Sequence, residues 1–304
     1  MRADIKNLSA SIHARLNNKA KENKRLFQET FQYYAMERFL YRLSKSRYQD
    51  RFVLKGALMF TVWDVPFRRP TRDIDLKGYV NNDVNNIEKI IKEICEQPVE
   101  PDGMVFNPES VQGEIIQEVA TYQGVRVKFR GFLGKAWAPL QLDIGFVDEI
   151  TPAAVDLEYP VLLGANAPLL KGYPPETVIA EKLHSIVFLG ESNSRLKDFY
   201  DVWLLSRQYD FEGKQLSEAI QKTFKQRETA IPEKVPVGLT DAFVQKQQII
   251  MWKNILSKIS GDTSISTDFG EVVGQIREFL LPILDNLGEQ KYLQLDWSPG
   301  KGWG

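Results

Sequence analysis

One cysteine, Cys95, is all the thiol chemistry that 304 residues contain. A lone thiol excludes an internal disulfide framework and a cysteine zinc cluster. Histidine is almost as scarce: His13 and His184 are the two, far apart in the chain. A histidine-rich metal centre and a Ser-His-Asp triad are therefore not expected. No apolar run approaches the roughly 18 residues of a membrane span, and the first residues lack an apolar signal core. No membrane partner is expected, and the expected location is the cytoplasm. Repeats and low-complexity tracts are missing too. Net charge is only −1, with 43% hydrophobic and 26% charged residues, so the chain as a whole is an ordinary globular sequence and no polyelectrolyte.

That neutrality hides a local excess. Residues 1–50 carry eleven Lys and Arg against five Asp and Glu, a net of +6. A basic lobe suits a polyanion such as nucleic acid, and it equally suits a solvated helix face.

Hydrophobic periodicity divides the chain. Residues 9–22 and 26–43 have helical spacing, with Phe27, Phe31, Tyr34 and Arg38/Phe39 recurring at three and four. Residues 51–63 begin strand-like and turn helix-compatible after Gly56. Residues 71–80 alternate with period two, and 81–97 read as a helix with Ile87, Ile90, Ile91 and Ile94 on one side. Strand-like pieces follow at 104–106, 114–119, 124–133 and 140–148. Helices are expected at 174–190, 194–208, 213–227, 240–258 and 269–287, with Pro282 kinking or restarting the last. The tail 296–304 reads as irregular. The expected class is α+β. A core with N-terminal helices and a mixed sheet spans 1–170, and a helical C-terminal domain spans 171–304.

Four features could carry chemistry. Asp73 and Asp75, in "RPTRDIDLKG", are two apart in a strand, so both face one way while Ile74 and Leu76 face the core. Paired carboxylates suit a hard cation such as Mg²⁺ shared with substrate phosphates. They also suit a wet strand face. Asp143, in "LQLDIGF", could be brought beside them by a neighbouring strand, making a trio for one or two metals. Gly56 could let a phosphate approach backbone N–H groups, or simply make a tight turn. Lys182 falls within the apolar arc of its helix with Val178, Ile179, Leu183, Ile186 and Val187, whereas Glu181 and His184 fall outside it. A lysine on a buried side needs an anion, either a triphosphate or a carboxylate. Asp198 and Asp201, one turn apart on the next helix, are candidates. Arg69 and Arg72 could reach a phosphate or offset the acids.

Together these motifs resemble a known family. "FVLKGALMF…RPTRDIDL" looks like the glycine motif and Asp-x-Asp of the AbiEii/AbiGii nucleotidyltransferase toxins, in the DNA polymerase β-like superfamily. Asp143 matches that superfamily's later-strand acid. "PPETVIAEKLHSIVFLGESNSRLKDFYDVWLL" resembles the family's Glu-Lys helix and its Lys-Asp-x-x-Asp helix. The resemblance spans nearly the whole chain. It implies a polymerase-β-like nucleotidyltransferase core and a toxin of a type IV toxin–antitoxin, abortive-infection or phage-defence system, MenT-like, with a cognate antitoxin. The implied reaction moves a nucleotide from an NTP to RNA, in particular a transfer-RNA 3′ end, with Mg²⁺ or Mn²⁺. Asp73 and Asp75 would hold the metal, joined by Asp143 as ligand or base. Gly56 and Ala57 would sit at the phosphates, Lys182 would face the triphosphate, and Asp198 or Asp201 would complete the site. Many superfamily members have serine where Ala57 stands, so here only the backbone donor is available.

Two other readings share the sequence. A phosphotransferase moving a γ-phosphate to a protein or nucleotide also needs acid-bound Mg²⁺ and a lysine. A non-catalytic partner-binding module needs neither. A D…(D/E)-x-K nuclease is disfavoured, because Arg126 stands where that pattern puts its acid before Lys128.

Overall fold

The computed structural model describes residues 2–64, 70–117, 123–147, 149–259 and 266–304, with the side chains of 2–7 set aside. Arg69 lies outside the described residues. Two compact units form. The first gathers 1–64, 71–147 and 155–172, and the second gathers 65–70, 148–154 and 173–304.

The first unit runs α1 (Arg2–Glu22), α2 (Phe27–Lys45), β1 (Phe52–Lys55), α3 (Met59–Val62), β2 (Asp73–Gly78), α4 (Val84–Cys95), β3 (Met104–Gln117), β4 (Gln123–Leu133), β5 (Ala136–Gly145), β6 (Val155–Glu158) and β7 (Leu169–Gly172). Its sheet has the order β3-β4-β5-β2-β1-β7-β6. β2 and β5 pair parallel, as do β1 and β7, and the other pairs are antiparallel. The expected α+β class with a mixed sheet is the one observed.

Alternation explains the sheet's two faces. Val125, Val127 and Phe129 of β4 are buried, as are Leu140, Leu142 and Ile144 of β5 and Ile74 and Leu76 of β2. α4 covers part of this apolar face with Ile87, Ile90, Ile91 and Ile94, and Asp83 caps its start by accepting from the Asn86 N–H at 3.1 Å. α2 adds Phe39, Leu40 and Leu43 to the same cluster. Each such side chain contributes about 1.5–3 kcal/mol by leaving water.

The pieces expected at 104–106 and 114–119 are one strand, β3, with a register shift between Asn107 and Gln112. Turn-like Asn107 and Pro108 made it look broken, whereas a bulge carries the pairing across them. Positions 118 and 119 lie outside the described residues.

The basic N-terminal stretch is partly structural. Arg42 is buried and grips both oxygens of Asp102 at 2.7 and 3.0 Å. Arg38 is buried beside Glu37 and donates to the Asn166 carbonyl. Arg25, Arg47 and Lys19 pair with Glu29, Glu93 and Glu22.

The second unit holds α5 (Pro175–Leu189), α6 (Leu196–Gln208), β8 (Phe211–Glu212), α7 (Gly213–Gln226), α8 (Lys246–Leu256), α9 (Phe269–Gly288), β9 (Asp296–Ser298) and β10 (Gly302–Trp303). Proline opens α5 and Gly190, at φ +49°, ends it, as the sequence suggests. Two expectations fail, and a third is met in part at most. The helix expected from 240 begins only at Lys246, because Phe243 is anchored in a tight turn between Phe199 and Phe269. α9 does not restart at Pro282 but runs through it, where an interior proline costs ~3 kcal/mol. Buried Phe279, Leu280, Ile283 and Leu284 hold it in place. The tail is ordered: Ser298–Lys301 forms a turn with Pro299 second and Gly300 third at φ +77°, closed by the Lys301 N–H on the Ser298 carbonyl. β9 and β10 flank that turn and join β8 in a three-stranded sheet. Trp297 and Trp303 donate to the Ser206 and Phe279 carbonyls. Among the described residues no helix is long and apolar enough to cross a membrane.

Candidate active site

β2 ends the chain's approach to the sheet centre and puts Asp73 and Asp75 on the face opposite Ile74 and Leu76. Both acids are half-buried. In register, Asp75 lies between Lys55 on β1 and Asp143 on β5, and Asp143 lies opposite Arg126 on β4. Four strands thus carry a row of side chains on one face: Lys55, Asp75, Asp143, Arg126. The next row is Asp73, Gln141, Lys128 and Gln112.

Gly56 follows β1 directly and has φ +70°, a conformation that favours glycine. A Cβ there would lie 2.0 Å from Oδ2 and 2.6 Å from Cγ of Asp75. The bare Cα of Gly56 is what admits the Asp75 carboxylate. The tight turn Gly56–Leu58 leads into α3, a single four-residue turn, so little helix dipole stands behind it. Ala57 is buried in this turn.

Asp143 is strongly engaged. Arg126 donates Nε to Oδ1 at 2.8 Å and Nη2 to Oδ2 at 2.7 Å, a two-point pair, and Gln141 donates to Oδ1 at 3.2 Å. The hydrogen bonds to Asp143 hold the Arg126 guanidinium above its ordinary value, and the charges of Asp143 and Asp73 add to this. Among the described residues no group of three or more His, Cys, Asp or Glu is arranged to hold a metal ion. The sequence allows a neighbouring strand to bring Asp143 beside the pair; β5 does so, and the Arg126 guanidinium is already on it. Asp73 and Asp75 by themselves fit a hard cation: both are oxygen donors, and they share one face of one strand, with Asp75 set against the bare Cα of Gly56.

In the second unit, Lys182 on α5 is paired with both Asp198 at 2.8 Å and Asp201 at 2.8 Å on α6. Arg195 adds a contact to Asp198 at 2.9 Å. Asp198 and Asp201 are buried, and the Lys182 side chain is 13% exposed. Two cations thus meet two carboxylates. His184 departs from the helical-wheel expectation, being buried on α5. Its Nδ1 receives Arg227, so Nε2 carries the proton toward Thr229 Oγ1 at 2.9 Å. Helix α5 is buried on most of its sides, so His184 and Lys182 find their partners inside the unit rather than in water.

Sequence reasoning missed Arg126 and Lys55. The signal for Arg126 was present: Arg126, Lys128 and Arg130 recur with period two in "GVRVKFRGFL" and had to share a face.

The model of the family described as nucleotidyl transferase AbiEii toxin, type IV toxin–antitoxin system, matches residues 38–275. Two solved structures are similar. One is JHP933 from Helicobacter pylori, 16% identical, covering 86% of this chain and 94% of that one, with a TM-score of 0.45. The other is a candidate nucleotidyltransferase from H. pylori, 14% identical, covering 86% and 97%, with a TM-score of 0.43. No curated protein matches significantly.

Proposed function

The chain belongs to the AbiEii nucleotidyl transferase toxin family of type IV toxin–antitoxin systems, and we propose that it moves a nucleotide from an NTP to an RNA hydroxyl, a transfer-RNA 3′ end in particular. One observation carries the reading. Asp73 and Asp75 project from one face of β2, and Asp75 sits in the space that Gly56 leaves open.

In this reading Asp73 and Asp75 hold Mg²⁺ or Mn²⁺, which when bound neutralises phosphate charge as pyrophosphate departs. The acceptor oxygen bonds to the α-phosphorus, and the bond from that phosphorus to the β-phosphate bridging oxygen breaks. Such transfers rest on positioning and electrostatics more than on covalent work by the protein. Gly56 fixes Asp75, and the N–H groups of Gly56 and Ala57 are offered to the NTP phosphates. Asp143 serves as a further metal ligand or as base toward the acceptor hydroxyl. Both its oxygens rest on Arg126, so either role would use the acceptor sites that this pair leaves or would displace the guanidinium. Lys182 supplies positive charge to the NTP, and Asp198 and Asp201 hold its ammonium in position.

Membership of a toxin–antitoxin family implies a cognate antitoxin, and we place the chain in phage defence in the cytoplasm. The test is growth arrest and product mass. Wild type should arrest growth and leave an RNA heavier by a nucleotide. Asp73→Asn and Asp75→Asn should do neither while melting like wild type. Full toxicity in both variants would overturn the reading.

A further inference from the structure

From Asp73, on the same sheet face, a groove of about 610 Å³ runs past residues to which the nucleotide reading gives no role. Its wall includes Arg72, Asp73, Lys128, Arg130, Trp137 and Gln141. The strand alternation explains it: Trp137, Pro139, Gln141 and Asp143 of β5 face the same way as Arg126, Lys128 and Arg130 of β4. One end therefore holds Asp73 and the other holds cations and an indole.

Trp137 is 50% exposed, an unusual place for a large ring on a polar face. The Arg130 guanidinium lies 5.3 Å from its ring centroid, which stiffens the ring in place. Lys128 is held by Glu114 at 2.7 Å, but both side chains are more than half exposed, so the pair is weak and exchangeable for a phosphate. Gln141 pairs with Asp73 in register, and Trp137 is four residues along β5, roughly 13 Å away. Cations for a backbone and a flat ring for a base are the recognition chemistry of single-stranded nucleic acid.

We propose that this groove holds the acceptor RNA as a single strand, with a base stacked on Trp137, phosphates on Lys128 and Arg130, and the strand's end directed toward Asp73. The proposal rests on the nucleotidyl-transfer reading for its choice of RNA. It places the acceptor on the β4–β5 face rather than on the basic N-terminal helices, where Arg38 and Arg42 are buried structural groups.

The test is direct binding of a short fluorescein-labelled single-stranded RNA of mixed sequence, without NTP, read by anisotropy across a salt series. Trp137→Leu should weaken binding about tenfold, while Trp137→Tyr stays close to wild type because a ring remains. Lys128→Gln with Arg130→Gln should lower the slope of log affinity against log salt by about 1.4, roughly 0.7 per lost phosphate contact. Melting curves check folding, and these side chains are exposed enough for it to survive. Wild-type affinity in all variants would overturn the groove, as would equal loss in Trp137→Tyr and Trp137→Leu. Equally tight binding of DNA of the same sequence would overturn the choice of RNA. A protein that transfers nucleotide normally but binds RNA unchanged in these variants keeps its activity and loses this groove. A protein whose groove variants lose RNA but whose wild type transfers nothing keeps the groove and loses the activity.

Discussion

The Asp75 carboxylate rests against the bare Cα of Gly56, in a space that any Cβ would occupy at 2.0 Å from Oδ2. Glycine is therefore required twice at this position, for its φ of +70° and for the acid beside it. Gly56→Ala should cost roughly 1–2 kcal/mol for the left-handed backbone alone. Displacing Asp75 by about 1 Å should cost transfer activity about 10²-fold. Urea denaturation and turnover on one preparation would separate the two. Activity close to wild type would show that Asp75 needs no such placement.

Arg126 and Asp143 give a metal-linked prediction. Arg126→Gln leaves Asp143 beside Asp75 without its cation. The loss of two charged hydrogen bonds should destabilise the metal-free protein by about 1.5–3 kcal/mol. Mg²⁺ should then raise the melting midpoint of the variant more than that of wild type, since a bound cation replaces the guanidinium. Equal Mg²⁺ shifts in both proteins would mean that Asp143 takes no part in binding.

Lys182 is both a structural and a proposed substrate group. Lys182→Met takes the ammonium from both Asp198 and Asp201, with Arg195 still on Asp198, and should cost about 3–5 kcal/mol. The triple change Lys182→Met, Asp198→Asn, Asp201→Asn removes the stranded charge and should recover most of that loss. NTP affinity should stay weak in the triple variant. Its return with stability would make the cluster purely structural.

Stability should depend on pH through Glu37. Burial pushes its carboxyl from 4.5 to about 7, against the pull of Arg38. The folded value lies above the unfolded one, so the folded state holds the proton more tightly. The contribution is full below about 4.5 and is lost as pH rises through 7, up to roughly 3 kcal/mol. Urea midpoints near pH 6 and pH 8 should fall in wild type and fall less in Glu37→Gln. Identical slopes would place the ionisation elsewhere.

Much of the site was legible because strands and helices fix side-chain direction locally. Asp73 and Asp75 had to share a face, and Lys182 had to lie in the apolar arc of its helix and find an anion there. What the sequence could not supply was register. Nothing local says that Asp143 lies opposite Arg126, or that Arg130 stands over Trp137, since those pairings depend on how β4 meets β5. The tail differs for a related reason: its Gly and Pro read as irregular structure, but they build the turn that lets β9 and β10 pair. His184 was placed outside the apolar arc because a wheel assumes one wet side, and α5 is buried on most of its sides.

The most direct measurement is incubation of the protein with total RNA, Mg²⁺ and each NTP, labelled either at the α- or at the γ-phosphate. Nucleotidyl transfer predicts RNA carrying the α label and none of the γ label, with the signal absent in Asp73→Asn. RNA or protein carrying the γ label, or α labelling that survives in Asp73→Asn, would contradict it.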